Sequence, residues 1–233
     1  MTPAQADSFT HHGYLHLEGF YSKKLVGAIR QRVLDEFKRL GMSADGKRLP
    51  KALQGLPVFQ QIGRLSALVN APGLHAALVT PELIECVTRL GGRTPPAIQE
   101  TQLLLSPPHQ AAWSLEGLNW HVDVSASLRD PLPGIQAFFL IDDVAPHGGA
   151  TLTLSGSHRV DTQRSGSGTS LRDVLKSSAN LAHDLRTLGI SIVEMSGRAG
   201  DVFLMDMRLL HTPSINATKN VRMMATSRCF LNA

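Results

Sequence analysis

The chain has 233 residues, of which 42% are hydrophobic and 18% charged, and it carries a formal net charge of +4. That length supports one domain with a substantial core; no apolar run reaches the roughly 20 residues that span a bilayer, and Met1 to Thr10 lacks the basic-then-apolar layout of a signal peptide. The lysines and arginines are dispersed rather than interleaved with aromatics, and Cys86 and Cys229 are isolated, so a cytoplasmic protein without membrane, nucleic-acid or disulfide character is expected.

In chain order the first third reads as helical. Thr2-Pro3 starts a short helix that Gly13 ends, and Ser22 caps a longer one in which Leu25, Val26, Ile29, Val33, Phe37 and Leu40 recur at helical spacing before Gly41. Tyr14 to Phe20 partly alternates like a strand. Val58 to Val69 and Pro81 to Leu90 complete a helical layer over residues 1–97 whose role is to support another element.

From Ile98 the apolar runs shorten and turn residues separate them. Strands are predicted at Ile98 to Leu105, Leu118 to Val122, Gly134 to Ile141, Ala150 to Leu154, Ile190 to Met195, Asp201 to Met205 and Val221 to Leu231. Without crossover helices between them, these suit a two-sheet antiparallel jelly roll, a double-stranded β-helix over 98–233, better than a parallel sheet. An insertion at 159–189 interrupts the series. Its Gly-Ser start and the apolar positions Leu171, Val174, Leu175, Leu181 and Leu185 fit either a lid or a surface excursion.

Trp120-His121-Val122-Asp123 carries the first chemical signal. In an extended segment residues i and i+2 face one side, so His121 and Asp123 can meet one ion. His211 follows an apolar run that delivers it to the barrel interior, and Arg222 opens the last strand, where a guanidinium can pair with a carboxylate. Two histidines and one carboxylate on one face of a metal leave the opposite positions open, the arrangement of non-haem Fe(II) oxygenases.

With these residues in view, the chain resembles the phytanoyl-CoA dioxygenase family of Fe(II)- and 2-oxoglutarate-dependent oxygenases. The resemblance rests on His121-Val122-Asp123, on Gly148-Gly149-Ala150-Thr151-Leu152 running into Ser155-Gly156-Ser157-His158-Arg159, on Ala199-Gly200-Asp201-Val202, and on His211 with Arg222. Phe9, Gly13-Tyr14 and Leu15 fit the family's opening. The resemblance implies a cupin-like core, iron on His121, Asp123 and His211, and 2-oxoglutarate anchored by Arg222, with Gln102, Phe138 and Thr151 as further co-substrate contacts. It also implies O2 as oxidant, ascorbate as a helpful addition in vitro, and hydroxylation of an unactivated C–H bond in a small molecule with release of succinate and CO2. Relatives that halogenate carry a small residue where Asp123 stands, so oxygen chemistry is implied. Val122 replaces a glutamine found in some relatives, and Pro213 a small polar residue.

The remaining candidates have plainer readings. His158 is structural in the resembling family, and Gly166-Ser167-Gly168 lacks the Lys-Ser or Lys-Thr of a phosphate loop. His11, His12, His75, His109 and His183 show no ligand spacing, and Trp113 and Trp120 suit packing or a pocket wall. Arg159, Arg164, Arg172 and Lys176 make the insertion basic and suggest an anionic substrate or simply a solvated surface. Two other functions compete: a non-catalytic metal- or ligand-binding module, and a nucleic-acid demethylase, in which Arg222 and Arg228 would be the paired arginines.

Overall fold

A computed structural model of the chain describes every residue except 44, 47, 125–129, 161–170, 179 and 233. The Gly-Ser start of the insertion, with Arg164, therefore lies outside the described residues, as does the side chain of Arg172.

Helix α1 (Pro3–His12) begins with a reciprocal cap. The Gln5 amide N–H donates to the Thr2 hydroxyl, and the Thr2 N–H to the Gln5 side chain at 2.7 Å. It ends at Gly13, whose φ of 77° lies in the left-handed region; a Cβ there would stand 2.6 Å from His158 Nδ1. Strand β1 (Tyr14–Leu17) follows, then α2 (Lys23–Arg39), whose buried stripe Val26, Ile29, Val33 and Phe37 matches the apolar spacing. Helices α3 (Val58–Leu68), α4 (Leu74–Leu78) and α5 (Pro81–Gly91) complete the layer, the last capped by Thr80 and closed by Gly92. Helix α4 has no counterpart among the sequence-based expectations; it is a single short turn after Pro72-Gly73.

The strand series comprises β2 (Ala97–Ile98), β3 (Gln102–Ser106), β4 (Gly134–Leu140) and β5 (Thr151–Ser155), then the insertion helices α6 (Leu171–Ser177) and α7 (Leu181–Thr187), and finally β6 (Ser191–Glu194), β7 (Val202–Asp206), β8 (His211–Pro213) and β9 (Arg222–Phe230). A larger antiparallel sheet runs β1-β7-β4-β9-β2, with β3 also paired to β9, and a smaller one runs β6-β5-β8. The N-terminal region thus supplies an edge strand as well as helices.

Two strand expectations are corrected. Leu118 to Val122 forms no strand among the described residues: only His121 pairs, in an isolated bridge with His211. The run Ile98 to Leu105 divides into β2 and β3 at Gln99-Glu100, although the Gln99 N–H still donates to the Arg228 carbonyl at 2.8 Å.

Strand β4 is buried along its whole length and feeds both faces. Ile135, Ala137 and Phe139 pack with Val33, Phe37, Leu83 and Val87 of the helical layer, while Phe138 and Leu140 pack with Phe203, Met205, Leu209 and Met224 on the other side. This two-sided cover explains a run in which the buried Gln136 is the one polar side chain. Leu171, Val174 and Leu185 of the insertion pack on Leu154 and Ile190, with Trp120 at the margin, so the insertion sits beside the residue preceding His121. No helix among the described residues is long and apolar enough to cross a membrane.

Candidate metal centre and its buried arginine

His121 and His211 are joined by their backbones: each N–H donates to the other's carbonyl, at 3.0 and 2.9 Å. A long connection between β3 and β4 is thereby fastened to β8 at the residue that needs placing. The imidazoles lie 4.4 Å apart, centroid to centroid. His121 Nδ1 is 2.9 Å from the Asn119 carbonyl, and His211 Nδ1 is 3.1 Å from the Leu209 carbonyl. A carbonyl only accepts, so each Nδ1 carries its proton and each Nε2 offers a lone pair, the tautomer a metal requires.

Asp123 completes the cluster. Its Oδ2 stands 3.6 Å from His211 Nε2, and one ligand atom from each of His121, Asp123 and His211 lies within 4.8 Å of the others. Burial, with smaller contributions from His121 and Arg228, holds the His211 imidazole below its ordinary pKa against the opposing pull of Asp123. It is neutral over a wider pH range, as a ligand must be. Two imidazole nitrogens and one carboxylate oxygen converging this closely fit a divalent transition metal with open positions.

Arg228 holds both oxygens of the carboxylate. Its Nε donates to Asp123 Oδ2 at 3.0 Å and its Nη2 to Oδ1 at 2.8 Å, a forked pair, while Nη1 donates to Gln99 Oε1 at 2.9 Å. Sequence reasoning met Arg228 only as half of an arginine spacing. Its partner lies on the distant β3-β4 connection, so no local signal announces the pair.

Arg222 opens β9 directly opposite Ser106 and is only 3% exposed. Its Nη1 donates to the Gly149 carbonyl at 2.5 Å, and among the described residues Nε and Nη2 have no hydrogen-bond partner. Burial pushes its pKa down to about 10. A buried guanidinium with its forked edge empty is costly unless an anion fills that edge. The donor geometry fits one carboxylate.

Gly149 and Asn216 place that arginine. Gly149 has φ of 77°, and a Cβ would come within 2.8 Å of Asn216. The Asn216 side chain donates to the carbonyls of Ser106 and Asn220 and accepts from Thr218, so it ties together the turn between His211 and Arg222. Neither Ser106 nor Asn216 was singled out from the sequence, because an isolated serine or asparagine carries no motif.

The other expected co-substrate residues divide. Phe138 lies 6.4 Å from the His211 ring, and Thr151 is buried on the face of β5 that Thr153 shares with its partner His211. Gln102 is exposed opposite Thr226, roughly 13 Å along β9 from Arg222 at the usual strand rise. Gln102 is therefore not brought to Arg222. Trp113 stacks on His147 at 4.3 Å, and Trp120 packs with the insertion. His158 Nε2 bonds the Thr10 carbonyl at 3.1 Å, a structural role at the end of α1.

The remaining quoted motif is also structural. Asp201 accepts from the N–H groups of Gly19 at 2.8 Å and Arg198 at 2.9 Å and pairs with His16 at 3.0 Å. Burial pushes its carboxyl up, but these bonds outweigh it and hold the pKa below the ordinary value.

A family model described as phytanoyl-CoA dioxygenase (PhyH) matches residues 9–224. No curated protein sequence matches the chain. Among solved structures it is similar to AviO1 from Streptomyces viridochromogenes Tue57, with TM-score 0.64 at 18% identity over 99% of this chain and 95% of that one. It is similar to EctD from S. alaskensis, solved with 2-oxoglutarate and 5-hydroxyectoine, with TM-score 0.65 at 21% identity over 99% and 77%. The non-heme alpha ketoglutarate dependent carbocyclase SnoK from nogalamycin biosynthesis gives TM-score 0.64 at 20% identity over 98% and 83%. At these identities the similarity is one of fold.

Proposed function

The chain belongs to the phytanoyl-CoA dioxygenase family, and from that premise we propose that it is an Fe(II)- and 2-oxoglutarate-dependent oxygenase that hydroxylates a C–H bond of a small molecule. The two antiparallel sheets then form the double-stranded β-helix of such enzymes. His121, Asp123 and His211 hold the iron. Arg222 takes the far carboxylate of 2-oxoglutarate on its empty Nε and Nη2 edge.

The observation that carries this reading is that empty edge. A module that binds only a metal has no use for a buried, unpaired guanidinium, whereas a dicarboxylate co-substrate fills it. When bound, iron with 2-oxoglutarate supplies the O2-dependent oxidation of the C–H bond, with succinate and CO2 as co-products. The chain's own groups do the positioning. The Asn119 and Leu209 carbonyls keep both imidazoles in the ligating tautomer, Arg228 orients the Asp123 carboxylate, and the Gly149 carbonyl aims Arg222. Phe138 and Thr151 wall the space shared with His211, and the helices of 159–189, packed beside Trp120, act as a cover. Gln102 has no co-substrate role in this arrangement.

Anaerobic addition of Fe(II) and 2-oxoglutarate tests the reading. A weak visible charge-transfer band is expected, and folded protein that binds Fe(II) without producing it would overturn the proposal. Mass spectrometry of a metabolite pool incubated with protein, Fe(II), 2-oxoglutarate and ascorbate then looks for products heavier by one oxygen.

A further inference from the structure

A cavity of about 580 Å³ opens beside the metal cluster, lined by Ala97, Ile98, Gln99, Asp123, Met207, Arg228 and Phe230. Its volume suits a small-molecule site, and Asp123 lies in its wall, so an occupant reaches the centre at the ligand carboxylate. The polar groups of this wall are unequal. Asp123 spends Oδ1 and Oδ2 on Arg228 and faces His211 through Oδ2, which leaves it little capacity to accept from an occupant.

Donors, by contrast, are in surplus. A guanidinium has five N–H groups. Arg228 commits one on each nitrogen, to Asp123 twice and to Gln99 once, so Nη1 and Nη2 each retain an N–H with no partner among the described residues. The guanidinium can only donate, which fixes the Gln99 amide: its oxygen faces Arg228, and its two Nε2–H groups turn away without a partner among the described residues. Charge has the same sense. Asp123 and Arg228 cancel, and the metal with Arg222 and dianionic 2-oxoglutarate leaves a surplus of positive charge. Ala97, Ile98, Met207 and Phe230 give the rest of the wall an apolar character.

We propose that this cavity is the substrate pocket and that it takes an apolar molecule ending in a carboxylate, gripped by Gln99 Nε2 and the outer N–H groups of Arg228. The inference rests on the oxygenase reading for the identity of the neighbouring centre, but the pocket's preference stands on Gln99 and Arg228 alone. Gln99 is then a specificity residue: it enforces an acceptor on the substrate and orients the chain end away from the metal.

Calorimetric titration of hexanoate, hexan-1-ol and hexylamine into anaerobic protein with Fe(II) and saturating 2-oxoglutarate decides the matter. Hexanoate is expected to bind at least tenfold more tightly than the other two. Gln99→Glu keeps an acceptor for Arg228 while replacing donors by negative charge, and is expected to weaken hexanoate at least tenfold with the visible band retained; Gln99→Leu weakens it less. Equal binding of hexan-1-ol, tighter binding of hexylamine, or hexanoate affinity unchanged in Gln99→Glu would overturn the proposal, as would displacement of 2-oxoglutarate by hexanoate with loss of the band. Repeating the titration in Arg222→Met separates the two readings: hexanoate still binds there, even if no band forms in the wild type and the oxygenase reading fails.

Discussion

Arg222 and Arg228 project from one face of β9 and differ in almost every other respect. Arg222 is buried and holds its forked Nε and Nη2 edge empty, whereas Arg228 is 27% exposed in its side chain and has the same edge filled by Asp123. In a folded protein an empty buried fork is costly and a filled one at the rim is not. On the oxygenase reading one strand then serves two tasks, with binding capacity kept open at Arg222 in the interior and the Asp123 carboxylate fixed by Arg228.

The largest effect expected from breaking this contrast is at the interior end. Arg222→Met removes two charge-assisted hydrogen bonds, each worth about 1.5–3 kcal/mol, so 2-oxoglutarate affinity falls about a hundredfold or more while Fe(II) binding persists. The same change deletes an uncompensated buried charge, and the ligand-free variant melts at a temperature equal to or above that of the wild type. Calorimetric titration and thermal melting check both halves.

At the rim the signs reverse. Asp123→Ala abolishes Fe(II) binding and also strands Arg228, with a loss of about 1–3 kcal/mol of stability. The double variant Asp123→Ala/Arg228→Met recovers melting temperature but not metal. Arg228→Met alone weakens the metal by about 10–100-fold, the usual cost of removing a partner behind a ligand. Metal titration with a competing chelator measures it, and an unchanged affinity would show that Asp123 needs no brace.

The smallest effect belongs to a carboxylate bonded to neither arginine among the described residues. Asp201 has a depressed folded pKa, so its contribution to stability is complete above the unfolded value of 3.8 and disappears as pH falls through the folded value. The melting difference between wild type and Asp201→Asn is therefore present at neutral pH and vanishes in acid.

Much of this was legible in the sequence. Thr2-Pro3 and Gly13, Ser22, and Pro81 were recognisable helix punctuation, and β4, β5, β6, β7 and β9 fall within a residue or two of the predicted runs, whereas the three-residue β8 was not among them. The three clustered residues were chosen by type and order, although the reason they meet was misjudged: His121 and Asp123 share no strand, and one bridge to His211 places the first of them. Asn216, Ser106 and the pairing of Arg228 with Asp123 escaped because they consist of contacts between segments distant in the chain. Gln102 is exposed opposite Thr226, away from Arg222, because alternation gives a residue's face but not its distance along the neighbouring strand.

On the proposed reading, that single bridge also sets how the centre lets go of a metal. Among the described residues, two amide hydrogens, at His121 and His211, pin the connection that bears His121 to β8 at this point. Opening them displaces a ligand while every named strand stays folded, a local rather than global unfolding. Deuterium uptake at the His121 amide should therefore be fast in the apo-protein, slow once iron binds, and independent of denaturant at low concentration, so that this one proton keeps time for the metal's residence.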